Sequence, residues 1–429
     1  MRQYKDSGIE WIGKIPETWE VSQLSILFKE HSCRNIGMQD TNLLSLSYGN
    51  IVRKNINDNG GLLPESFEGY NVINKDDIVF RLTDLQNDKR SLRTGLVREK
   101  GIITSAYVTV RKRDTKNSSS YFHYLFHSCD ECKIFYGLGA GVRQGMNYQD
   151  LKKLGIVVPP YSEQQRIADY LDEKCGEIDS LIALQEQMIE KLKAYKQSFI
   201  TEAVTKGLNP NAKLVPSGID WIGEIPEGWK VIKTKYIADK IFKGNGITKD
   251  EVFVDGDTPC VRYGEIYTKY TQAFKTCFSA TNIDIQKSPQ LFHYGDILCA
   301  GTGELFEEIG NSIVYLGSQE CLAGGDIIVL RHHQNPSFLN YALNSNYAQT
   351  QKSRGKAKLK VVHISAFEIG STFILLPPLT EQQTIASYLD EKCADVDRLI
   401  ALKQQKIDSL KKYKKSVIYE VVTGKTIIE

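Results

Sequence analysis

Cys129 and Cys132 form a CxxC with His123 and His127 just upstream, which is the residue pattern of half a zinc site. No second CxxC follows, and the surrounding residues are compatible with a helix, so we predict no metal site. The chain has nine cysteines, an odd number, and most stand alone. This usage favours reduced thiols over a disulfide framework.

Two further stretches look like parts of a DNA methyltransferase. VPPY, from Val158, mimics the Asp/Asn-Pro-Pro-Tyr loop that holds a flipped base, but valine stands where a polar side chain must bond the target amine. LCAGTGE, from Leu298, has only two glycines and no acidic partner at the expected place for a cofactor turn. A stand-alone methyltransferase that uses S-adenosylmethionine is therefore kept as an alternative function, beside a coiled-coil scaffold that does not bind DNA.

Composition is that of an ordinary globular chain. Of 429 residues, 41% are apolar and 25% are charged, which suits two or three domains. No apolar run approaches the roughly 20 residues of a membrane span, and the first residues lack the apolar stretch of a signal peptide. We therefore expect a cytoplasmic protein without a membrane segment. The net charge is +2, and residues 22–155 carry a local excess of +5, a modest hint of a polyanionic partner.

The segments that would position any functional site occur twice in the sequence. GIEWIGKIPETWEV, from Gly8, returns as GIDWIGEIPEGWKV from Gly218, and we call these the WIG segments (8–21 and 218–231). A second phrase, PPxxEQQxIAxYLDEK, starts at Pro159 and again at Pro377, 218 positions later. The chain is thus two halves in tandem.

The second phrase predicts a long helix. The Pro-Pro pair stops a helix from continuing backward, and Ser162 with Gln165, or Thr380 with Gln383, would form a capping box. From Ser162, 44 residues give a rod of roughly 65 Å at ~1.5 Å per residue. Gly207 and Gly424 lie near the expected ends.

Apolar residues recur every seven positions along both helices, which predicts a seam shared by two helices. Since neither helix can bury its stripe alone, we expect the two copies to pair with each other, antiparallel, about a pseudo-two-fold axis. One heptad position holds Leu171, Ile178, Leu192 and Phe199, a second holds Leu181, Met188 and Tyr195, and Cys175, Ile182 and Ile189 widen the stripe; the second copy repeats this pattern at Leu389, Val396, Leu410 and Val417, then Leu399 and Tyr413, then Cys393, Ile400 and Ile407.

Between the repeats lie two divergent blocks. Short apolar runs such as DDIVF and GDILC, broken by Gly, Asn and Asp, predict two α+β domains. The matching runs indicate that the two domains are distantly related in sequence. The predicted architecture is α+β: two globular target recognition domains joined by two long helices in an antiparallel coiled coil. Its predicted boundaries are 1–155 for the first domain, 156–207 for the first helix, 208–373 for the second domain and 374–429 for the second helix.

The repeated EQQxIAxYLDEK after Pro-Pro, the WIG segments and the tandem arrangement resemble the specificity (S) subunit of type I DNA restriction–modification enzymes, over essentially the whole chain. The resemblance implies a non-catalytic subunit in which each domain recognises one half of a bipartite double-stranded DNA target and the helices set the spacing. It also implies two methyltransferase (M) subunits as partners, with restriction (R) subunits as further ones. S-adenosylmethionine would be held by the M subunits, and no cofactor is expected on this chain.

Loops rich in Arg, Lys, Asn and Gln are the candidates for DNA contact, because such side chains bond base edges and phosphates. The first domain offers Tyr48, Asn50, Arg53, Lys54, Arg81, Gln86, Lys89, Arg90, Arg93, Arg143, Gln144 and Asn147. The second offers Lys243, Asn245, Lys249, Arg262, Tyr263, Lys269 and Thr302, with Lys352, Arg354, Lys356 and Lys358 in the run KSRGKAKLK.

Two sets of aromatic residues keep two interpretations each. The tyrosines of the two Tyr-Gly pairs, Tyr48 and Tyr263, are either core residues or DNA contacts. All four tryptophans lie in the WIG segments, at Trp11, Trp19, Trp221 and Trp229. They either pack the domains on the helices or, with the outer faces of the helices, contact the M subunits.

Overall fold

The chain forms two compact units, Met1–Glu186 with Gln404–Glu429, and Gln187–Lys403. The computed structural model describes residues 3–56, 64, 66–83, 85, 92–138, 145–219, 222–285, 288–305, 308–356 and 361–428. Each unit therefore holds one divergent block together with part of each long helix, and we call these unit 1 and unit 2. None of the helices in the described ranges is both long enough and apolar enough to span a bilayer.

Unit 1 is built on a four-stranded sheet of order β4-β11-β8-β9, whose three strand pairs are all antiparallel. Around it lie the pairs β1-β2, β3-β12, β5-β6 and β7-β10. Its strands are β1 Tyr4–Asp6, β2 Lys14–Pro16, β3 Glu20–Gln23, β4 Phe28–Glu30, β5 Leu44–Ser47, β6 Asn50–Arg53, β7 Asn71–Ile73, β8 Ile78–Phe80, β9 Thr94–Leu96, β10 Gly101–Ile103, β11 Val108–Lys112 and β12 Gly155–Val158; its helices are α1 Leu24–Leu27, α2 Ser119–Glu131, α3 Ile134–Leu138 and α4 Tyr148–Leu151, followed by the long α5, Tyr161–Lys206.

Unit 2 repeats this plan with additions. A five-stranded sheet has the order β16-β25-β21-β23-β18, a four-stranded sheet has the order β19-β17-β24-β20, and three two-stranded pairs complete it. Its strands are β13 Leu214–Pro216, β14 Glu224–Pro226, β15 Lys230–Lys233, β16 Ala238–Lys243, β17 Thr258–Val261, β18 Ala273–Phe274, β19 Ser279–Thr281, β20 Leu291–Phe292, β21 Ile297–Ala300, β22 Thr302–Gly303, β23 Ser312–Tyr315, β24 Cys321–Ala323, β25 Ile327–His332, β26 Val362–His363 and β27 Phe373–Leu376; its helices are α6 Tyr263–Thr268, α7 Pro336–Asn344, α8 Asn346–Lys352 and α9 Ala366–Ser371. The long α10, Leu379–Val422, follows and passes into unit 1 at Gln404, as α5 passes into unit 2 at Gln187.

A buried aspartate precedes the matching strand in each main sheet. Asp77, before β8, accepts two hydrogen bonds from Arg111 of β11, at 2.7 and 2.8 Å. Asp296, before β21, accepts from Arg331 of β25 at 2.9 Å. Both carboxylates are almost wholly buried. A buried carboxylate needs such a partner, which explains why DDIVF and GDILC recur in blocks that otherwise diverge.

The long helices run antiparallel in each unit, as predicted. In unit 1 the Tyr121 hydroxyl bonds the carbonyls of both Val157 and Val422, while further along α5 Asp179 pairs with Lys414 at 2.7 Å. In unit 2 Lys196 pairs with Asp397 at 2.7 Å. A β-carbon at Gly207 would lie 3.1 Å from Glu381. Partner numbers fall as residue numbers rise, and this defines an antiparallel pair.

The predicted seam is right for one heptad position and wrong for another. Leu171 and Ile178 are buried, and so are Cys175 and Ile189. Leu181 and Tyr195, assigned to the seam, are 46% and 60% exposed, and their copies Leu399 and Tyr413 are 46% and 50% exposed. The second heptad position of the seam is therefore the one that begins at Cys175 and continues to Lys196. The heptad position that begins at Leu181 faces outward.

The predicted capping boxes are also wrong. Each helix begins one residue earlier, at Tyr161 and Leu379, so Ser162 and Thr380 lie inside the first turn. The carbonyl of Pro160 accepts from the N–H groups of Glu163 and Gln164, and that of Pro378 from Glu381 and Gln382. The prolines thus supply the first acceptor as well as the stop signal.

The first glutamine of each EQQ fastens the helix to its own domain. Gln164, buried, donates to the Pro159 carbonyl at 2.9 Å and accepts from the Ser118 N–H at the start of α2. Gln382 does the same with the Pro377 carbonyl and the Asn335 N–H at the start of α7. Eight residues later, about two helical turns, Asp172 accepts from Tyr124 and Asp390 from Tyr341. The repeated motif is therefore a docking motif for α2 and α7.

Candidate nucleic-acid interface

A cleft of about 550 Å³ in unit 2 gathers predicted residues from separate loops. Arg262, Tyr263 and Lys269 line it. Asp326, also on its wall, pairs with Lys243 at 2.7 Å. The N-terminal end of α6 and the loops after β16 and β24 form the walls. Short strands with Gly-rich ends allow this convergence, since Gly244 and Gly256 approach neighbouring backbone more closely than a β-carbon permits.

Arg262 and Glu265 form a fixed pair at the start of α6. The Arg262 Nε lies 3.4 Å from the Glu265 Oε1, and the Glu265 Oε2 accepts from the Arg262 backbone N–H at 3.1 Å. Ser279 donates to the Glu265 Oε1 at 2.5 Å. Glu265 is only 4% exposed, whereas a third of the Arg262 side chain is exposed.

Aromatic rings rim the same cleft. The ammonium of Lys269 lies 4.0 Å from the centroid of the Phe278 ring, a cation–π contact. Phe278 is 64% exposed and Tyr263 43% exposed. An apolar ring held at the surface beside two cations offers contact to base edges or to the thymine methyl. Phe278 and Glu265 were missed by the sequence analysis. Phe278 joins the cleft only through the fold, whereas Glu265 follows Arg262 by three residues on α6.

The other predicted residues of unit 2 are more mixed. Lys249 is exposed, in a short 3-10 helix, Lys249–Glu251. Asn245 donates its side-chain amide to the Ser288 carbonyl, and the Thr302 hydroxyl lies 3.1 Å from the His363 Nδ1. These two side chains therefore have structural partners, while Lys249 is available at the surface.

The run KSRGKAKLK does not form one basic patch in the part that the structure describes. Lys352 is buried and donates to the Gly310 carbonyl at 2.7 Å, and burial lowers the pKa of its ammonium to about 8. Lys356 pairs with Glu368 at 2.6 Å. Arg354 is exposed. Lys352 is thus unavailable to a phosphate, and Lys358 lies outside the described residues.

In unit 1 the predicted residues of the first loop lie on one hairpin. Strands β5 and β6 pair with Ser47 opposite Asn50, so Tyr48 and Gly49 form the two-residue turn. Both have positive φ, 45° and 82°, as a type I′ turn requires. Tyr48 is 73% exposed. With Tyr263 also exposed, the structure contradicts the interpretation of these tyrosines as core residues.

The remaining residues of this hairpin are exposed as well. Asn50, Arg53 and Lys54 all reach the surface. Arg53 pairs with Glu99, its Nε 2.7 Å from the Glu99 Oε1, and this hydrogen bond raises the pKa of Arg53 and lowers that of Glu99. The pair is fully at the surface, so a phosphate could replace Glu99 as the partner.

Arg93 is wholly buried, which contradicts its assignment to DNA. Its guanidinium donates to the carbonyls of Arg81 and Thr83 and to the Tyr136 hydroxyl. It therefore braces the loop after β8, on which Arg81 is half-buried. Asn147 is exposed but caps α4, accepting from the Gln149 N–H at 2.7 Å. Gln86, Lys89, Arg90, Arg143 and Gln144 lie outside the described residues.

The segments that resemble parts of a methyltransferase or of a zinc site have structural roles. Val158 is the last residue of β12, paired with Glu20, and the prolines that follow serve the helix start. At Gly301 a β-carbon would lie 2.8 Å from the Asp326 carbonyl oxygen, so this turn is filled by the chain's own backbone. Among the described residues no group of three His, Cys, Asp or Glu could hold a metal ion. His123 and His127 are half-buried on α2, and burial lowers their pKa to about 3 and about 4.

The tryptophans are largely packing residues. Trp19 is fully buried against Tyr121, with ring centroids 6.5 Å apart and nearly perpendicular planes. Trp229 is 6% exposed and donates from its Nε1 to Glu381 at 3.0 Å. The Trp11 ring lies 6.3 Å from that of Tyr419. The contacts of Trp11 and Trp229 hold the WIG segments on a long helix, and that of Trp19 holds its segment on α2. Trp221 lies outside the described residues.

Comparison with known proteins agrees with the tandem plan. The family model for the type I restriction modification DNA specificity domain matches residues 16–194 and again 226–412. The MjaVIII specificity subunit of a type I restriction enzyme from Methanocaldococcus jannaschii is 25% identical, over 99% of this chain and 97% of its own length. The putative MjaX specificity subunit from the same organism is 26% identical, over 96% and 95%.

The fold also has a solved counterpart. A structure from a study of complex assembly and conformational transition of the type I R-M system matches with a TM-score of 0.68 at 16% identity, covering 96% of this chain and 99% of the other. The family match spans most of the chain in two copies, one to each half of the repeat. The chain therefore belongs to the family of type I restriction–modification DNA specificity subunits, which are non-catalytic DNA-recognition subunits.

Proposed function

We propose that this chain recognises a bipartite, asymmetric double-stranded DNA sequence, with one domain for each half-site, and that it holds methyltransferase and restriction subunits on its helices. The observation that carries the proposal is the contrast between matched and unmatched parts. The docking contacts of Gln164 and Gln382 are the same in both units, while the exposed residues at the Tyr-Gly positions differ. Two domains with different exposed residues, held by the same contacts on the long helices, suit two different half-sites.

The charge and chemistry of the exposed residues support DNA as the ligand. Arg53 and Lys54 in unit 1, and Lys249 and Arg354 in unit 2, are exposed cations of the kind that contact phosphates. Arg262, Tyr263 and Phe278 around the cleft of unit 2 suit base edges. The proposed contact set is thus the earlier one without Arg93 and Lys352.

The outward stripe of the long helices supports the scaffold role. Leu181, Leu184 and Tyr413 in unit 1 are 44–50% exposed, and their copies in unit 2, Leu399, Leu402 and Tyr195, are 46–60% exposed. Repeated apolar residues at the surface mark sites of protein association. Two copies of the stripe suit two copies of one partner, and we assign them to two methyltransferase subunits, which would hold S-adenosylmethionine.

Methylome sequencing tests the DNA proposal. Cells that express this chain with the methyltransferase encoded beside it should gain methyl-adenine in both halves of one bipartite motif, with half-site centres about one DNA turn, ~34 Å, apart. Cells with the methyltransferase alone are the control. No new motif from a purified, intact complex would contradict the proposal, as would methylation by this chain alone.

Substitution of the stripe tests the scaffold role separately. Leu184→Glu with Leu402→Glu should abolish co-purification of the methyltransferase. Glu186→Lys, on the same helix but outside the stripe, is the control and should leave co-purification intact. Retention of the methyltransferase by the leucine variant would place its docking surface elsewhere.

A further inference from the structure

The cleft of unit 2 contains one arginine that is held ready for an acceptor. Among the described residues, the Arg262 guanidinium has one hydrogen-bond partner, Glu265, and bonds it through Nε. The two Nη groups are the remaining donors. A guanidinium fixed at one edge presents the other as a planar fork, which matches two acceptors about as far apart as the O6 and N7 of guanine.

Glu265 is fixed independently of the arginine side chain. It accepts from Ser279 and from the Arg262 backbone N–H, and it is buried. Its carboxylate can therefore orient Arg262 before any ligand arrives. A free surface arginine would lose rotamer freedom on binding, whereas this one has already lost part of it.

The surroundings favour a base over a phosphate. Beside Arg262 the rim of the cleft is formed by Tyr263 and by Phe278, which is 64% exposed under the ammonium of Lys269. Aromatic rings suit the apolar faces and methyl groups of bases, while phosphate sites are rich in hydroxyls and N–H groups.

We infer that Arg262 is the specificity-determining residue for a guanine in the half-site of the second domain, and that Glu265 is its positioning residue. The inference rests on the proposed function, because it places a base in the cleft. At the equivalent places unit 1 has Ser47 and Asn50. The first domain lacks this pair, so a guanine contact of this kind is assigned to the second domain alone.

The test compares variants in complex with the methyltransferase, by methylome sequencing and by binding to duplexes that carry each of the four base pairs at the guanine position. The wild-type complex should prefer guanine there by roughly 5- to 150-fold, the range for one bidentate base contact. Arg262→Gln should remove that preference, Arg262→Lys should reduce it, and both should leave the other half of the motif unchanged. Lys249→Ala, by contrast, should weaken binding to all duplexes alike and lower the salt slope by about 1.

Glu265→Gln separates positioning from folding. Loss of orientation should relax the guanine position alone, whereas a folding defect would reduce methylation at all sites equally. The inference is overturned if the motif of the second domain has no guanine, or if Arg262→Gln, in an intact complex, leaves every position unchanged. Absence of any bipartite motif with the wild-type chain would instead overturn the proposed function.

Discussion

The two units agree where each domain meets the long helices and differ where each domain presents its exposed polar residues. Gln164 and Gln382 make equivalent pairs of hydrogen bonds. Asp77 and Asp296 each bind the arginine at the equivalent position of their own sheet. The Tyr-Gly pair also recurs in sequence, yet Tyr48 lies in a hairpin turn while Tyr263 begins a helix. Packing thus constrains the residues that join each domain to the long helices. The exposed loops are not constrained in this way, and their backbone conformation differs between the units.

The largest effect that can test this comparison lies in the buried tryptophans. Trp19→Ala should lower the free energy of unfolding of unit 1 by about 3–5 kcal/mol, and Trp229→Ala that of unit 2 by a similar amount, because each removes a large buried ring. Hydrogen exchange, read separately in peptides of each unit, measures both. Trp11→Ala is the control and should cost less, since Trp11 is only half-buried.

A loss confined to one of the two buried sites would break the equivalence of the supports. If Trp229→Ala left unit 2 unchanged, its WIG segment would hold no domain in place. In that case the matched contacts would not be matched in energy.

The first glutamine of each EQQ gives the next effect. Gln164→Ala should cost about 2–3 kcal/mol in unit 1, since it leaves the Ser118 N–H and the Pro159 carbonyl without partners. Gln382→Ala should cost the same in unit 2. The adjacent, exposed Gln165 provides the control, because Gln165→Ala loses one exposed bond to Tyr161 and should cost under about 0.5 kcal/mol. Equal losses at Gln164 and Gln165 would refute the docking role.

These supports are the part of the molecule that sequence could largely predict. The heptads and Pro-Pro pairs identify both long helices, because helix formation depends on local pattern and on a repeated apolar stripe. Within them the outward position of Leu181 and Tyr195 was missed, since two adjacent apolar lines have the same period. The helix starts were misplaced because the Pro160 carbonyl accepts the N–H groups of the first turn, a role that was predicted for the Ser162 hydroxyl.

The candidate site was less predictable because it is assembled from distant segments. Arg93 and Lys352 look like their neighbours in sequence, but each is buried with hydrogen-bond partners more than forty positions away. Phe278 gave no local signal, and only the fold places it beside Arg262. Glu265, three residues after Arg262 on α6, was near in sequence and was overlooked. Composition identifies which side chains can bond DNA, while exposure depends on tertiary packing.

Acidification should separate the units by their histidines. His123 and His127 in unit 1 stand where unit 2 has Asn340 and Asn344. Burial lowers the pKa of these histidines to about 3 and about 4, below the ordinary value near 6.5. Protonation therefore favours the unfolded state, and their contribution to stability is lost as the pH falls below about 6.5.

The net loss in unit 1 between pH 7 and pH 5 should be roughly 2 kcal/mol. Asp130 works in the opposite direction, because burial raises its pKa to about 6 and the folded state then gains from protonation. His123→Asn with His127→Asn should remove this loss, so that hydrogen exchange in unit 1 should show a small gain of stability on acidification, from Asp130 alone. Unit 2, where burial lowers the pKa of His332 to about 4, is the internal control and should keep its own slope. An unchanged slope in unit 1 would refute the assignment.

The smallest effect lies in the ion pairs between the long helices, where the two units are identical by position. Lys414 pairs with Asp179 and Lys196 with Asp397, both at 2.7 Å, and each pair is the other shifted by 218 residues. Their carboxylates are half exposed, so each pair should contribute about 0.5–1 kcal/mol at low salt. A double-mutant cycle of Lys414→Ala with Asp179→Ala, and its counterpart in unit 2, measures that coupling.

The coupling should be the same in both units and should shrink in high salt, because salt screens charges that face water. Lys193 and Glu190, an ion pair within one helix at 2.9 Å with both side chains largely exposed, provide the control and should give a smaller coupling. Unequal couplings in the two units would mean that the antiparallel pairing is tighter around one domain than around the other. The repeat would then be symmetric in sequence but not in energy, and the domain on the looser side would be the easier one to reposition on DNA.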